Sequence, residues 1–241
     1  AGQWPSFFYL GKMPCDSSWH PMYEKENLVA RVKPAQNKSF SLQVDNAGPI
    51  EAGGTYLLTQ EEDTAYSLFK NLTYPLEKAG YRWKDTSGMH KYRFRQLVTV
   101  KKMEGNTLVL NAPLTWELRE EWKPKLWEVP MLIENVAIAG FHLKTDWSET
   151  FYHHKNPIHD NGWDHIKMRY AKNSWVQSII HDNATTALAL SSCINCSVFH
   201  CQIRGNPGHN GFVVTGASTR NILYHCKGGT QMRTFSISGF S

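Results

Sequence analysis

Three segments in the last third of the chain concentrate side chains that can move protons or hold anions: His181-Asp-Asn-Ala-Thr-Thr186, Arg204-Gly-Asn-Pro-Gly-His-Asn-Gly211 and Lys227-Gly-Gly-Thr-Gln231. Imidazole exchanges a proton most readily near neutrality, and guanidinium or ammonium groups stabilise developing negative charge. Stacked together, these turns would gather His181, Asp182, Arg204, His209, Asn210 and Lys227 into one basic, polar patch. The chemistry such a patch suits is proton abstraction beside an anionic group, with His209 as base, Arg204 as the anion's partner and His181 close by. The plainer expectation is a surface ion pair between Asp182 and Arg204, beside a turn at 205–211 chosen for its backbone geometry.

A second concentration lies in the long loop Thr145 to Gly162 and just beyond it. There His153, His154, His159 and His165 fall among Tyr152, Lys155, Asp160, Trp163 and Asp164. Long loops in compact folds are often functional. Trp163 offers a stacking platform for a sugar ring, and His153, His154 and His159 are candidates for contacting substrate, the loop forming one wall of a groove. Imidazole and carboxylate also suit zinc, but no His-x-Glu-x-x-His spacing occurs, so no metal site is assigned. Calcium is the one ion left open, and no other cofactor is indicated. Cys193 and Cys196 have the Cys-x-x-Cys spacing of zinc or redox sites; against that reading, Cys201 and Cys226 fall at matching rung positions and are expected to be inward members of a core stack, as small hydrophobes, with a disulfide between them left open. With Cys15 the count is odd, which leaves at least one thiol unpaired within the chain.

The elements that must position these groups are visible as a repeat. Asn173-Ser-Trp-Val, Asn195-Cys-Ser-Val and, with one residue of slip, Asn221-Ile-Leu-Tyr align so that Val176, Val198 and Leu223 coincide. Ser178, His200 and His225 then coincide, as do Ile179, Cys201 and Cys226, and Asn135-Val-Ala-Ile is an earlier copy. A second ladder runs through Thr186–Leu190, Gly211–Thr215 and Arg233–Ile237, spaced 25 and then 22 residues. Two short strands per repeat, each ended by Asn, Gly or Ser, describe a solenoid coil in which every strand pairs in parallel with its copy one turn later. In that alignment Asp182 lies one rung from Arg204, while His209 and Asn210 fall opposite Ala184 and Thr185. His200 and His225 should form a ladder on the surface.

The recurrent Asn-x-x-Val strand starts and the Asn135-Val-Ala-Ile138 element resemble the pectate-lyase-like superfamily of right-handed parallel β-helices, over about residues 95–241. The resemblance implies an all-β solenoid and a carbohydrate-active protein, secreted or at a cell surface. Its expected activity is a polysaccharide lyase cleaving an acidic, uronate-containing polysaccharide by β-elimination. A glycoside hydrolase drawing on Asp160, Asp164 and Asp182, or a non-catalytic glycan-binding or assembly β-helix, are the alternatives. On the lyase reading His209 takes the proton, Arg204 meets the carboxylate, His181 assists, and Asp182, Asn210, Lys227, Trp163 and the loop histidines bind substrate.

Residues 1–94 are expected to be an irregular region with strands and an inserted helical segment, packed on rungs formed by 95–241. Pro75 should end the helical segment. The last residues follow a strand directly, so further rungs from another part of the protein or another chain are expected. A net charge of +5 and a pI near 8.9 suit an anionic partner, but the basic residues are scattered. That favours an acidic polysaccharide over nucleic acid. No apolar stretch approaches the 18 to 20 residues that cross a bilayer, so no membrane partner is expected. Sequons at Asn37, Asn71, Asn183 and Asn195 lean toward secretion.

Overall fold

The computed structural model describes residues 6–11, 27–78, 80, 93–129 and 132–238. They fall into two compact units, one built from the described residues before position 12 and after 131, the other from 27–129. Cys15 lies outside the described residues.

The first unit is the β-helix coil. One sheet, here the long sheet, stacks Phe8–Leu10, Asp164–Arg169, Thr186–Ser191, Asn210–Thr215 and Arg233–Ser238, all parallel. A short sheet stacks His142–Lys144, Ile180–Asp182 and Gln202–Arg204, and a third stacks Ala137–Ala139, Trp175–Gln177, Ser197–Phe199 and Ile222–Tyr224. Each turn of chain visits the third sheet, the short sheet and then the long sheet before returning one rung further on. Parallel connections of this kind are almost always right-handed. Inward residues of successive rungs stack into a shared core, which includes Ile138, Val176 and Val198 with Leu223 packed on it, and Ile166, Leu188 and Phe212.

The corners explain the recurring Asn, Gly and Ser. One residue at each corner holds left-handed backbone, and it does so in columns: Asn135, Asn173, Asn195 and Arg220 before the third sheet; Gly140, Ser178, His200 and His225 after it; Asn183 and Gly205 after the short sheet. Glycine adopts this conformation freely and asparagine more easily than other residues, so the sequence repeats at corners as well as in the core. Cys193, Cys196 and Cys201 are buried core members and Cys226 packs beside them, all four as free thiols. His200 and His225 are exposed, their ring centroids 5.3 Å apart.

Two parts of the expected register and boundaries change. Thr186 pairs with Asn210, not Gly211, and Asn210 with Arg233, so the long-sheet ladder is spaced 24 and 23 residues. Because strand side chains alternate faces, a slip of one residue moves each to the opposite side. The segment near the start is not wholly irregular either, since Phe8–Leu10 forms a rung against Asp164–Arg169. At Gly11 the chain crosses so close to Arg169 that a Cβ would overlap its carbonyl oxygen.

The second unit is an antiparallel barrel. Its strands follow the order Leu28–Arg31, Lys125–Glu128, Thr55–Glu61, Arg93–Glu104, Thr107–Leu110, Ser41–Gln43. The circle closes where Val32 bridges Val44: Lys33 N–H donates to the Gln43 carbonyl at 2.8 Å and Asp45 N–H to that of Arg31 at 3.1 Å. Closure leaves no free edge in the ring. Leu42, Leu58, Val100, Leu108 and Leu126 fill its core. The strands of 93–128 therefore belong to this barrel, and after the Phe8–Leu10 rung parallel pairing resumes at Ile133 rather than at residue 95. Alternating strands look alike in sequence in either arrangement; the two-residue turn Gly105-Asn106 forces the antiparallel hairpin. The helix Ser67–Lys78 runs through Pro75 instead of ending there. A polar cleft of about 790 Å³ lies on the barrel between Ser41, Gln43, Thr107 and residues 117–121.

Candidate functional site

The outer face of the short sheet carries two columns of side chains set by the pairing register. Lys144, Asp182 and Arg204 form one; His142, Ile180, Gln202 and, through an isolated bridge, Lys227 form the other. Equivalent positions on parallel strands lie about 4.8 Å apart, close enough for long polar side chains to meet. Arg204 grips Asp182 with a fork, Nε to Oδ1 at 2.9 Å and Nη2 to Oδ2 at 3.1 Å. His142 Nε2 lies 2.6 Å from the same Oδ2. The Arg204 guanidinium, against some opposing burial and with help from His142, holds the Asp182 carboxyl below the usual carboxylate range. Arg204 and His142 remain open to solvent, 43% and 50% exposed, while Asp182 is mostly covered by them at 17%.

This arrangement sets the roles available to each group. An ionised carboxylate can only accept hydrogen bonds, so the 2.6 Å contact places a proton on His142 Nε2 and leaves the Nδ1 lone pair free in the neutral ring. Asp182 orients both partners. The face thus presents a base and a cation side by side, flanked by exposed Lys144 and Lys227.

The corner between the short and long sheets is covered by the loop 145–163. Trp147 Nε1 donates to the Pro207 carbonyl at 2.7 Å, Asn206 Nδ2 to that of Glu149 at 2.7 Å, and the Thr145 hydroxyl to that of Asn183. Asn156 caps the short helix Pro157–Asn161 by accepting from His159 N–H at 3.1 Å. That helix aims Asp160 at the turn after Arg204: its Oδ1 stands 3.6 Å from His209 Nδ1, and its Oδ2 2.9 Å from His154 Nδ1. Burial raises the Asp160 carboxyl, but the side chain and backbone of His154 outweigh it and hold the group below its ordinary value. His209 is buried and neither ring nitrogen has a hydrogen bond; desolvation, partly offset by Asp160, pulls its pKa down.

The expected site residues are therefore sorted differently from the sequence alignment. Asp182 and Arg204 meet as expected. His209 leaves their patch and joins His153, His154 and Asp160 under the loop, because the corrected register sets it opposite Thr185 at the corner. His181 points inward between Leu143 and Ile203, fully buried, with its Nδ1 3.1 Å from His165 Nδ1. Burial lowers its pKa to about 3 and that of His165 to about 4, so both are neutral and His181 is no part of the exposed face. Asn210 sits on the long sheet, its N–H donating to Thr185 O at 2.9 Å. Lys227 lies beside Gln202 rather than Arg204. His159 is buried against Trp147, with Nδ1 accepting from Tyr152 N–H at 3.1 Å, and Trp163 is partly exposed where the chain enters the long sheet. The residue missed in the sequence is His142, though the 38-residue offset that relates Asn135 to Asn173 also sets Lys144 against Asp182. Among the described residues no group of His, Cys, Asp and Glu is arranged to hold a metal ion, and no helix is long and apolar enough to cross a membrane.

No family model matches the sequence, and no curated protein matches it. Solved structures do, three phage tailspikes among them. The tailspike gp61 of Pseudomonas phage phi297 aligns over 88% of this chain and 31% of its own, with 11% identity and a TM-score of 0.52. The Gp54 tailspike of Acinetobacter baumannii bacteriophage AP22, solved in complex with A. baumannii capsular saccharide, aligns over 87% and 40%, with 14% identity and a TM-score of 0.48. The tailspike protein gp49 from Pseudomonas phage LKA1 aligns over 89% and 31%, with 13% identity and a TM-score of 0.44. The chain spans about a third of the length of these proteins. At such identity the likeness to the phi297 tailspike concerns the fold alone.

Proposed function

We propose that the chain is an extracellular carbohydrate-active β-helix that holds an acidic, uronate-bearing polysaccharide along the outer face of the short sheet and cleaves it by β-elimination. The observation that carries this reading is the exposed His142–Asp182–Arg204 trio, flanked by Lys144 and Lys227. Arg204 pairs with the sugar carboxylate, which makes the neighbouring C–H more acidic. His142 Nδ1 takes that proton, the C–H electrons form a C=C bond, and the glycosidic C–O bond breaks as the leaving oxygen takes a proton from water. Asp182 is a positioning residue, fixing the His142 tautomer and the angle of the guanidinium.

His142 rather than His209 is assigned as base because it is open to a polymer, whereas His209 lies beneath the loop. The hydrolase alternative finds little support: Asp182 is engaged by Arg204, Asp160 by His154, and Asp164 is buried beside Lys167 at 2.6 Å. A glycan-binding β-helix without catalysis would use the same cations, and one experiment separates the two. Incubation with polyuronates of different composition should produce unsaturated ends that absorb in the ultraviolet, and His142→Gln should slow this by about 10²- to 10⁴-fold. Binding without absorbance, or undiminished absorbance in the variant, contradicts the assignment.

A further inference from the structure

From the way the loop 145–163 is fastened, we infer that it is an acid-released strap: it closes over the coil corner at neutral pH and lifts when the buried His209 becomes charged. Several observations converge on the clasp. His209 is sealed under the loop with a side chain only 5% exposed, yet both its nitrogens lack a hydrogen bond. A buried polar group left unsatisfied favours any state in which water reaches it. The groups that face it are one acid, Asp160 on the short helix, and three bases: His153 and His154 on the loop and Arg233 on the long sheet. His153 and His154 have ring centroids only 3.6 Å apart, which leaves little room for water beside His209 in the closed state. Asp160 already serves His154, and Glu149 is taken up by His159 Nε2 at 3.2 Å and Lys155 Nζ at 3.6 Å. No second carboxylate faces the cluster among the described residues. Acid therefore places on His209 a charge that burial disfavours and that Asp160 only partly offsets against His153 and Arg233, and opening relieves it by hydration.

The direction follows from linkage. A base whose protonation is resisted in the closed state binds its proton more readily in the open one, so falling pH drives opening. The remaining fastenings, the Trp147 and Asn206 hydrogen bonds and the Asn156 cap, carry no titrating group and hold the strap shut at neutral pH. Lifting would bring the imidazolium of His209 into the open next to the Arg204 face, raising its attraction for an anionic polymer. That consequence rests on the function proposed above; the opening does not.

Hydrogen exchange of the full chain without any glycan tests it. Peptides covering 147–161 are compared at pH 7.5 and pH 5, after correction for intrinsic exchange, with the strand Thr186–Ser191 as a control for global unfolding. The opening constant of the loop should rise by up to about tenfold per pH unit below the ordinary imidazole value, while the control strand stays protected. In His209→Gln, or in His209→Leu if the first variant loses the control strand's protection, the loop should respond to pH much less. Equal loop protection at both pH values in the native chain, or an undiminished response in a folded variant, overturns the proposal. Either result leaves the ultraviolet assay of the Arg204 face to be judged separately.

Discussion

Asp182 and His181 are neighbours in one strand and lead opposite lives. Asp182 faces outward and is held by Arg204 and His142, whereas His181 occupies a core position between Leu143 and Ile203. The pairing of Asp182 with Arg204 was legible because repeat alignment fixes the rung. The fate of His181 was not, because a histidine gives no sign of which face it takes until the alternation of its whole strand is known. The inward pair has a measurable consequence. His165 and His181 are neutral when folded, with pKa values depressed to about 4 and 3 by burial, but each takes up a proton near pH 6.5 when unfolded. Their contribution to stability is therefore complete above the unfolded value and is lost as pH falls from there toward the folded values, by about 1.4 kcal/mol per pH unit for each ring. Chemical denaturation between pH 7 and 4.5 should show this slope. His181→Leu, which continues the aliphatic column, should flatten it, and an unchanged slope would mean that the pair is hydrated.

Elements were read best where the repeat is strict. The third-sheet ladder of Val176, Val198 and Leu223 stands in its expected register because every copy starts two residues after a left-handed corner, an asparagine at 173 and 195 and Arg220 in the last. The long sheet slipped by one, since the turns leading into it, at 183–185 and 205–209, differ in length. The barrel was divided wrongly because alternating strands do not announce parallel or antiparallel partners; the tight turn at Gly105-Asn106 fixes one antiparallel pair, and the closure between Val32 and Val44 completes the ring. The corner columns make a prediction at this scale. Ser178 holds left-handed backbone with φ of 53°, so Ser178→Gly should stabilise the coil by about 0.5–1 kcal/mol. Gly211→Ala should destabilise it by about 1–3 kcal/mol, since the added Cβ would overlap the Thr234 carbonyl and lie 2.8 Å from Ile203 Cδ1. Midpoints of urea unfolding that moved the same way for both variants would refute either the left-handed corner at Ser178 or the close packing at Gly211.

For the molecule as a whole, two features bear on function: a coil that stacks distant turns into one face, and an excess of positive charge, +5 over the chain. The excess is scattered in sequence, yet the coil brings Lys144, Arg204 and Lys227 to the outside of a single three-stranded sheet. The solenoid was visible from its period; the place of His142 on this face was not, since His142 precedes the regular repeat, nor was that of His209, drawn under a loop whose path no pattern discloses. The central claim is that this face recognises anionic glycan, and the most direct test is the affinity of the full chain for a polyuronate and for a neutral glucan of equal length, across a salt series, in the native protein and in Arg204→Gln. Binding confined to the polyuronate, weakening as salt rises and at least tenfold weaker in Arg204→Gln, is the predicted result. Equal affinity for the neutral polymer, or an Arg204→Gln protein that binds polyuronate as the native one does, would contradict it.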